Sequence, residues 1–389
     1  MRFTHPDGST VHLAYCTNVH PAETLDGVIA QLGAYCEPVR RRLGAERLGV
    51  GLWLARDAVR ALNAGPGALR ELRGELDRRG LEVVTLNGFP YRGFGAEEVK
   101  YRVYRPDWSD PRRLEYTSDL ARLLAGLLPA DVGEGTVSTL PLAWRTGFDE
   151  AAAGSAHRAL AELARRLDHV EQETGRSIRV ALEPEPGCAV ESTADALAPL
   201  SALPGHRIGL CLDTCHLATS FEEPAAALAG LEGAGVEVLK VQLSAALHAG
   251  DPQDPAVRSA LAAFDEPRFL HQTRARSGGT LYATDDLGEA LAGGALPDTV
   301  PWRAHFHVPL HAPPAPPLSS TLDVLRETLA AVVGGPTAVS RHLEVETYTW
   351  QALPAGARPA TDAQLADGIA AELRLVRDLL TDLGLKEQH

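Results

Sequence analysis

The residues best suited to chemistry in this chain are oxygen-bearing side chains at the ends of apolar, strand-like runs. Glu183 lies in RVALEPEP, Asp213 in IGLCLDTCHLA and Glu346 in HLEVETYTW, and VLKVQLSA places Gln242 at the matching position of another run. The steps from Glu183 to Asp213 and on to Gln242 each span roughly 30 residues, about one β-strand plus one helix. Hard divalent cations prefer such oxygen ligands, so the pattern predicts a metal site.

Eight strand-like runs must position these residues. They cover 12–18, 48–54, 81–89, 135–142, 178–184, 207–213, 237–243 and 341–348. Each run is short and almost continuously apolar, which is typical of parallel strands covered by helices. Helical patterns lie between them, the clearest at 149–174 and after Thr361. This alternation predicts an α/β fold, a closed (β/α)8 TIM barrel, with a doubly wound sheet as the alternative. The carboxyl ends of barrel strands meet at one mouth, where catalytic groups lie.

Two long segments interrupt the alternation. We predict a single domain over residues 1–389, with insertions at about 90–112 after the third strand and about 245–335 after the seventh. Loops of this length at the mouth of a barrel commonly form lids or substrate walls.

Composition excludes several classes of protein. The net charge of −14 argues against a broad basic surface for nucleic acid. No run approaches the ~20 apolar residues of a membrane span, and the first residues lack the features of a secretory signal. Five cysteines without a paired pattern favour reduced thiols and a cytoplasmic location. The expected partner is therefore a small polar metabolite. Homo-oligomers and association with other proteins of its pathway stay open.

The alternation of side chains along a strand also predicts which residues lie inside the barrel, one layer below its mouth. Side chains two apart share a face of a strand, so Lys240 and Glu344 point into the barrel one layer under Gln242 and Glu346. A buried charge requires a partner, and these two residues are each other's candidates. The alternative is that Glu344 is the metal ligand and Glu346 lies in the following loop.

The motifs CLDTCHLA and VETY resemble the xylose-isomerase-like barrel superfamily, which holds sugar isomerases, ketose 3-epimerases, inosose dehydratases and endonuclease-IV-type enzymes. The resemblance implies a metal held at the ends of strands five to eight, here by Glu183, Asp213, Gln242 and Glu346. Many members have histidine where this chain has Gln242, whose amide oxygen favours Mg²⁺ or Mn²⁺ over Co²⁺ or Zn²⁺. More narrowly, AYCTNVHPAET, FLHQT, WRAHFHVPLH and HLEVETYTW resemble the bacterial family of the metabolite traffic protein EboE.

The superfamily resemblance also implies a reaction. A metal-dependent isomerase or epimerase would act on a sugar, ketose or cyclitol through an enediolate, in a secondary-metabolite pathway of the Ebo type. Glu183 and Glu346 would move the proton, as base and acid on opposite sides of the substrate. His216 would orient a substrate hydroxyl, with helix capping or packing as its alternative role.

Further polar residues are candidates for substrate binding. Asn18 and Asn87 lie in the last residues of the first and third predicted strands, His20 lies just after the first, and His271, His305 and His307 lie in the second insertion. The three histidines admit two other roles, as ligands of a second metal ion or as structural donors within a lid.

Two other function classes remain open from the sequence. A non-catalytic, metal-containing protein that binds or carries a metabolite would keep the same residues. An endonuclease-IV-like hydrolase is disfavoured, because the second and third strands end in Trp53 and Asn87 where that class has histidines, and because the chain is acidic.

Overall fold

Eight parallel strands close into a barrel in the computed structural model of the chain, which describes residues 1–388. The strands are, in order, Thr10–Cys16, Leu48–Trp53, Leu81–Glu82 with Thr85–Asn87, Glu134–Thr139, Ser177–Leu182, Ile208–Asp213, Val238–Leu243 and His342–Val345. The eighth strand pairs in parallel with both the seventh and the first, and the first pairs with the second, which completes the ring. The predicted (β/α)8 TIM barrel is confirmed, and all eight predicted runs contain a barrel strand.

Helices surround the barrel because both faces of its strands are apolar and must be covered. The helices are Leu25–Gln31, Glu37–Leu43, Arg56–Asn63, Pro66–Arg78, Pro111–Leu127, Glu150–Thr174, Thr193–Ser201, Thr214–Thr219, Pro224–Gly233, Pro255–Ala262, Leu287–Ala292, Leu322–Val333 and Asp362–Asp382. A π-helical turn, Leu32–Cys36, joins the first two, and 3-10 turns lie at Thr17–Val19, Lys100–Tyr104 and Tyr348–Gln351.

Capping residues set both ends of the longest helix, Glu150–Thr174, close to where the sequence predicts them. The Asp149 side chain accepts a hydrogen bond from the Ala152 amide at the start of Glu150–Thr174, and Gly175 ends it with a left-handed φ of 66°. Glycine adopts that conformation without the steric cost that a side chain brings. Thr361 likewise caps the last helix through the Gln364 amide.

The second insertion builds a small sheet of its own. Its strands are Leu247–Ala249, Thr273–Ser277, Thr280–Thr284, Trp302–Ala304 and Ser319–Ser320, joined by antiparallel pairs. The predicted end of the insertion at 335 is too late, since Leu322–Val333 packs against the neighbouring barrel helix Pro224–Gly233 and so belongs to the outer ring.

Strands also form at the other end of the barrel. Arg2–Thr4 pairs with Thr10–Cys16 and with Lys386–Glu387, so both termini lie against the first barrel strand. The sequence did not predict these short strands, which carry no alternating pattern. No helix within residues 1–388 is both long and apolar enough to span a lipid bilayer.

The barrel interior contains the predicted charged layer. Lys240 and Glu344 are fully buried, with Lys240 Nζ 3.0 Å from Glu344 Oε1. Gly51 makes room for this pair, because a Cβ at that position would lie 1.8 Å from Glu344 Oε2. The five cysteines are buried and form no disulfide, so they pack as small apolar side chains.

Candidate active site at the mouth of the barrel

Three carboxylates converge at the carboxyl ends of the strands. Glu183 follows the fifth strand, Asp213 ends the sixth and Glu346 follows the eighth. All three are buried, and one oxygen of each lies within 4.8 Å of the others. Glu344 pairs with Lys240 one layer below, and Glu346, just after the strand, carries the carboxylate that lies beside Glu183 and Asp213.

The two carboxylate oxygens of Asp213 differ in their contacts: one accepts hydrogen bonds from the protein and the other has no such partner in the described chain. Its Oδ1 accepts hydrogen bonds from the Cys215 amide at 2.7 Å, the His216 amide at 2.9 Å and the Ser244 hydroxyl at 2.7 Å. The carboxylate thereby caps the helix Thr214–Thr219, where it meets the positive end of the helix dipole. Its Oδ2 is buried and has no hydrogen-bond partner among residues 1–388.

Two amides hold Glu346 in place. Its Oε1 accepts from Asn18 Nδ2 at 2.5 Å and from Asn87 Nδ2 at 2.9 Å. Asn18 follows the first strand, which neighbours the eighth, and Asn87 ends the third, so two other strands orient this carboxylate. Both asparagines line the cavity described below, and their amides position an acidic group of the site.

The electrostatics of the cluster favour the uptake of positive charge. Burial, and next the charges of Glu346 and Asp213, raise the pKa of Glu183 well above its usual range. Burial, and next the charges of Asp213 and Glu344, raise the pKa of Glu346 to about 8. Like charges packed this closely need protons or a cation to neutralise them.

Gln242 lies in the seventh strand at the same level. It is fully buried and its register partners are Asp213 on one side and Glu344 on the other. Neither its Oε1 nor its Nε2 meets a hydrogen-bond partner in the described part of the chain. A buried amide with both atoms unpaired is costly, so this side chain is suited to a ligand.

Three histidines form a second group beside the carboxylates. His216 Nε2 lies 3.1 Å from His305 Nε2, which lies 3.3 Å from His307 Nε2. His307 Nε2 is 3.9 Å from Asp213 Oδ2, so the two groups share that aspartate. His216, His305 and His307, all candidate residues from the sequence, therefore lie together in one pocket.

The site opens into a cavity of about 60 Å³, measured as the space open to the centre of a water-sized molecule. One half is polar and is lined by Glu183, Glu185 and Glu346, by the two asparagines and by His216, His305 and His307. The other half is mainly apolar and comes from the two insertions and from residues just after the third and eighth strands. Its apolar residues are Phe89, Pro90, Phe94, Val99, Val103, Phe269, Leu270 and Tyr348. The rings of Phe94, Phe269 and Tyr348 contact one another with centroids 5.0–5.5 Å apart.

Comparison with known families agrees with this geometry. The sequence profile of the family described as xylose isomerase-like TIM barrel matches residues 41–251, more than half of the chain. The chain belongs to the xylose isomerase-like TIM barrel family. The search of curated proteins found no match.

Solved structures share the fold of this xylose isomerase-like barrel at low sequence identity. A xylose isomerase-like TIM barrel protein from Mycobacterium smegmatis in complex with magnesium has a TM-score of 0.53 at 13% identity, covering 95% of this chain and 98% of that one. D-psicose 3-epimerase with D-tagatose from Clostridium cellulolyticum H10 has a TM-score of 0.51 at 12% identity, covering 95% and 99%. An L-ribulose 3-epimerase has a TM-score of 0.50 at 13% identity, covering 96% and 95%.

Two predicted substrate-binding residues lie outside the cavity of this xylose isomerase-like barrel. His20 stacks on Tyr35 with ring centroids 4.5 Å apart and bonds the Tyr15 hydroxyl at 3.0 Å, so it packs between the barrel and its helices. His271 uses both ring nitrogens on the protein, Nδ1 on the His305 carbonyl at 3.0 Å and Nε2 on Glu266 at 2.9 Å. Apolar packing and internal hydrogen bonds give both residues structural roles.

Glu185 is a site residue that the sequence analysis missed. It is buried in the cavity, and its Oε1 accepts from the Tyr104 hydroxyl at 2.8 Å. Burial raises its pKa, partly offset by the nearby His216. The motif EPEP could have pointed to Glu185, because this residue follows Glu183 by two positions. The turn after Pro184 hid the direction in which the Glu185 side chain points.

Proposed function

We propose that this protein is a metal-dependent isomerase or epimerase that acts on a ketose, sugar or cyclitol through an enediolate. The observation that carries the proposal is the convergence of Glu183, Asp213 and Glu346 at the barrel mouth, beside the unpaired amide of Gln242. Proton transfer next to a carbonyl requires a base, an acid and a source of positive charge, and this site has positions for all three.

The residues present fit a divalent cation. Asp213 Oδ2, Glu183 Oε2 and both amide atoms of Gln242 are buried without hydrogen-bond partners in the described chain, and three carboxylates repel one another there. Glu183, Asp213, Gln242 and Glu346 would hold the ion. When bound, the ion would polarise a substrate carbonyl and stabilise the negative charge that develops on its oxygen. All-oxygen ligands favour Mg²⁺ or Mn²⁺.

The two glutamates would move the proton. Glu183 has an oxygen with no protein partner within residues 1–388, so it can approach a substrate carbon as the base. Glu346 is held by Asn18 and Asn87 and would exchange a proton on the other side of the substrate. Their burial raises both pKa values toward those of effective general acids and bases.

The shape of the cavity supports a small polar substrate with a reacting end and a less polar end. The polar half would bind hydroxyl groups, and the aromatic half would exclude water from the enediolate. The likeness to D-psicose 3-epimerase shows the fold alone, yet that fold holds a ketose in that protein, which supports the same substrate class here.

Exchange of substrate hydrogen with solvent tests the proposal. The protein with Mn²⁺ or Mg²⁺ is incubated in D₂O with a panel of ketoses and inososes, and ¹H NMR follows the carbon-bound hydrogens next to the carbonyl. We expect deuterium incorporation into at least one panel member, abolished by chelation and reduced at least 100-fold in Glu183→Gln. His311→Gln is the matched control, because His311 stacks on Trp350 outside the cavity.

A role in metabolite binding is the second candidate, and the motif resemblance to the EboE family of metabolite traffic proteins supports it. The enclosed aromatic half of the cavity would suit retention of a ligand. The same experiment separates the two functions. Calorimetric binding of a panel compound without any deuterium incorporation would favour the carrier over the enzyme.

A further inference from the structure

The aromatic half of the cavity offers a ligand carbon rather than hydrogen-bonding groups. Phe94, Phe269 and Tyr348 meet there with ring centroids 5.0–5.5 Å apart, and Val103 and Leu270 also line it. Two insertions that are distant in the sequence supply four of these five side chains. The chain therefore builds this apolar surface next to the carboxylates from separate segments.

The two tyrosine hydroxyls at the edge of the aromatic half bond to residues of the polar half. The Tyr104 hydroxyl donates to Glu185 Oε1 at 2.8 Å and accepts from Gln272 Nε2 at 2.9 Å. The Tyr348 hydroxyl lies 3.3 Å from His305 Nε2. What these residues add to the aromatic half is therefore ring carbon.

Backbone groups of the same wall are bonded within the protein. The Pro90 carbonyl accepts from Trp53 Nε1 at 2.8 Å, and the Phe94 carbonyl accepts from Arg268 Nη2 at 3.0 Å. The Val99 amide donates to the Arg268 carbonyl at 2.8 Å. A ligand hydroxyl placed against this wall would give up water and meet mainly carbon.

Free ketoses and cyclitols do not match such a surface. Every carbon apart from the carbonyl carbon carries a hydroxyl group or its ether oxygen, so any part of them in the aromatic half would bury a polar group. A hydroxyl that loses water and gains no partner weakens binding by about 5- to 150-fold. A hydrocarbon group in the same place loses no hydrogen bond and gains the hydrophobic effect.

The charges around the cavity disfavour an anionic group in the same place. Among the lining residues in the part of the chain that the structure describes, Lys100 is the only lysine or arginine, and its Nζ pairs with Asp286. Glu183, Glu185 and Glu346 line the polar half. A phosphate on the substrate would thus lie near carboxylates without a free ammonium or guanidinium group to bind it.

We propose that the substrate is an uncharged polyhydroxy ketone that carries a hydrocarbon group, alkyl or aryl, on the side away from its carbonyl. The carbonyl and the neighbouring hydroxyls lie in the polar half beside Glu183 and Glu346, and the hydrocarbon group packs against Phe94, Phe269 and Tyr348. This substrate class rests on the proposed function, which places the ketone beside the carboxylates.

Calorimetry with inositols tests the ligand class apart from catalysis, because an inositol has no carbonyl and cannot enolise. The protein with Mn²⁺ is titrated with scyllo-inositol, its mono-O-benzyl ether and its mono-O-(2-hydroxyethyl) ether. We expect the benzyl ether to bind at least about 10-fold more tightly than scyllo-inositol, and the hydroxyethyl ether to bind no more tightly than scyllo-inositol. A benzyl ether that shows no gain, or a hydroxyethyl ether that equals it, would overturn the proposal.

Val103→Thr adds a hydroxyl to the aromatic half and keeps the branched shape of the side chain. It should lower the ratio of the affinities for the benzyl ether and scyllo-inositol by at least about 3-fold. Val339→Thr is the matched control, because Val339 is 49% exposed on the surface. An unchanged ratio in Val103→Thr, or an equal fall in both variants, would contradict packing of the hydrocarbon group against this wall.

Deuterium exchange separates the substrate class from the proposed function. The protein with Mn²⁺ is incubated in D₂O with scyllo-inosose or with its ether that carries a benzyl group opposite the carbonyl. We expect kcat/KM for exchange to be at least about 10-fold higher for the benzyl ether. Exchange in scyllo-inosose alone would overturn the substrate class and leave the isomerase function in place. Preferred binding of the benzyl inositol ether without exchange in either inosose would contradict the isomerase function and leave the ligand class in place.

Discussion

Lys240 Nζ lies 3.0 Å from Glu344 Oε1 inside the barrel, one layer below the carboxylates of the mouth. Burial opposes the charge on Lys240, but Glu344, together with Cys211, Cys16 and Glu183, outweighs that effect and raises the lysine pKa. Thr85 donates to the other oxygen of Glu344 at 2.6 Å. The pair confirms the prediction made from strand alternation.

We expect Lys240→Met to lower the free energy of unfolding by about 3–5 kcal/mol, because it leaves Glu344 buried without its cation. The double change with Glu344→Gln should recover most of that loss, since no unpaired charge remains. Urea denaturation of the single and double variants measures both effects. Equal stability of Lys240→Met and the wild type would contradict a structural role for the pair.

Asp213→Asn should remove most of the metal held by the carboxylate group and leave the fold intact. The asparagine oxygen can still accept the hydrogen bonds that Oδ1 now accepts from Cys215, His216 and Ser244, so the helix keeps its cap. The negative charge is lost, and with it much of the attraction for a cation. Metal analysis beside circular dichroism tests this, and undiminished metal content would count against ligation by Asp213.

Gln242→His should shift the metal preference from Mg²⁺ and Mn²⁺ toward Zn²⁺ or Co²⁺, because imidazole replaces an amide oxygen at the carboxylate group. Competition titrations with pairs of ions measure the shift. An unchanged order of affinities would show that Gln242 does not contact the ion.

Asn18→Ala and Asn87→Ala should each weaken metal binding by about 10- to 100-fold, because each removes a donor that orients Glu346. Asn18→Asp would add a negative charge beside Glu346 and raise its pKa further. Isothermal titration with Mn²⁺ at fixed pH provides the comparison. Wild-type affinity in both alanine variants would mean that other contacts fix the carboxylate.

The metal-free protein should lose stability as pH rises from about 4.5 to about 8. The folded-state pKa of Glu346 is about 8 against an ordinary value of 4.5, so the folded state binds more protons than the unfolded state in that window. Stability then falls with rising pH. Mn²⁺ should restore it at pH 8 by replacing the protons. Thermal unfolding with and without chelator tests this.

The matched control for the pH experiment is Glu346→Gln, which should flatten the slope in the metal-free protein. Glu372 is also buried and has its pKa raised to about 7, mainly by burial, so it adds a slope of the same sign that metal does not remove. A metal-free protein whose stability rises across the window would contradict a protonated carboxylate cluster.

The positions of the carboxylates could be predicted because local patterns determine them. An apolar run that ends in Glu183 or Asp213 specifies a strand, and the end of a parallel strand specifies the mouth of the barrel. The charged layer followed from the two-residue period of a strand. These inferences need no knowledge of how distant segments meet.

The contacts among the three cavity histidines and the packing of His20 could not be predicted, because distant segments of the chain decide them. His305 reaches the mouth only because the second insertion folds into its own sheet and returns across the barrel. His20 is drawn away from the mouth by Tyr15 and Tyr35, neither of which its local sequence marks as a partner. Glu185 faces the cavity through a turn whose direction depends on Tyr104.

The aromatic half of the cavity has a kinetic consequence. The amides of Val99 and Lys100 from the first insertion both donate to the carbonyl of Arg268 in the second, at 2.8 and 3.1 Å, and Lys100 pairs with Asp286. The two insertions therefore form one roof, and a substrate that enters must part them together. We expect exchange of substrate, rather than proton transfer, to set the turnover rate whenever that roof is closed. A change of residue in either insertion would then need a matching change in the other, so that selectivity evolves as a property of the joined pair.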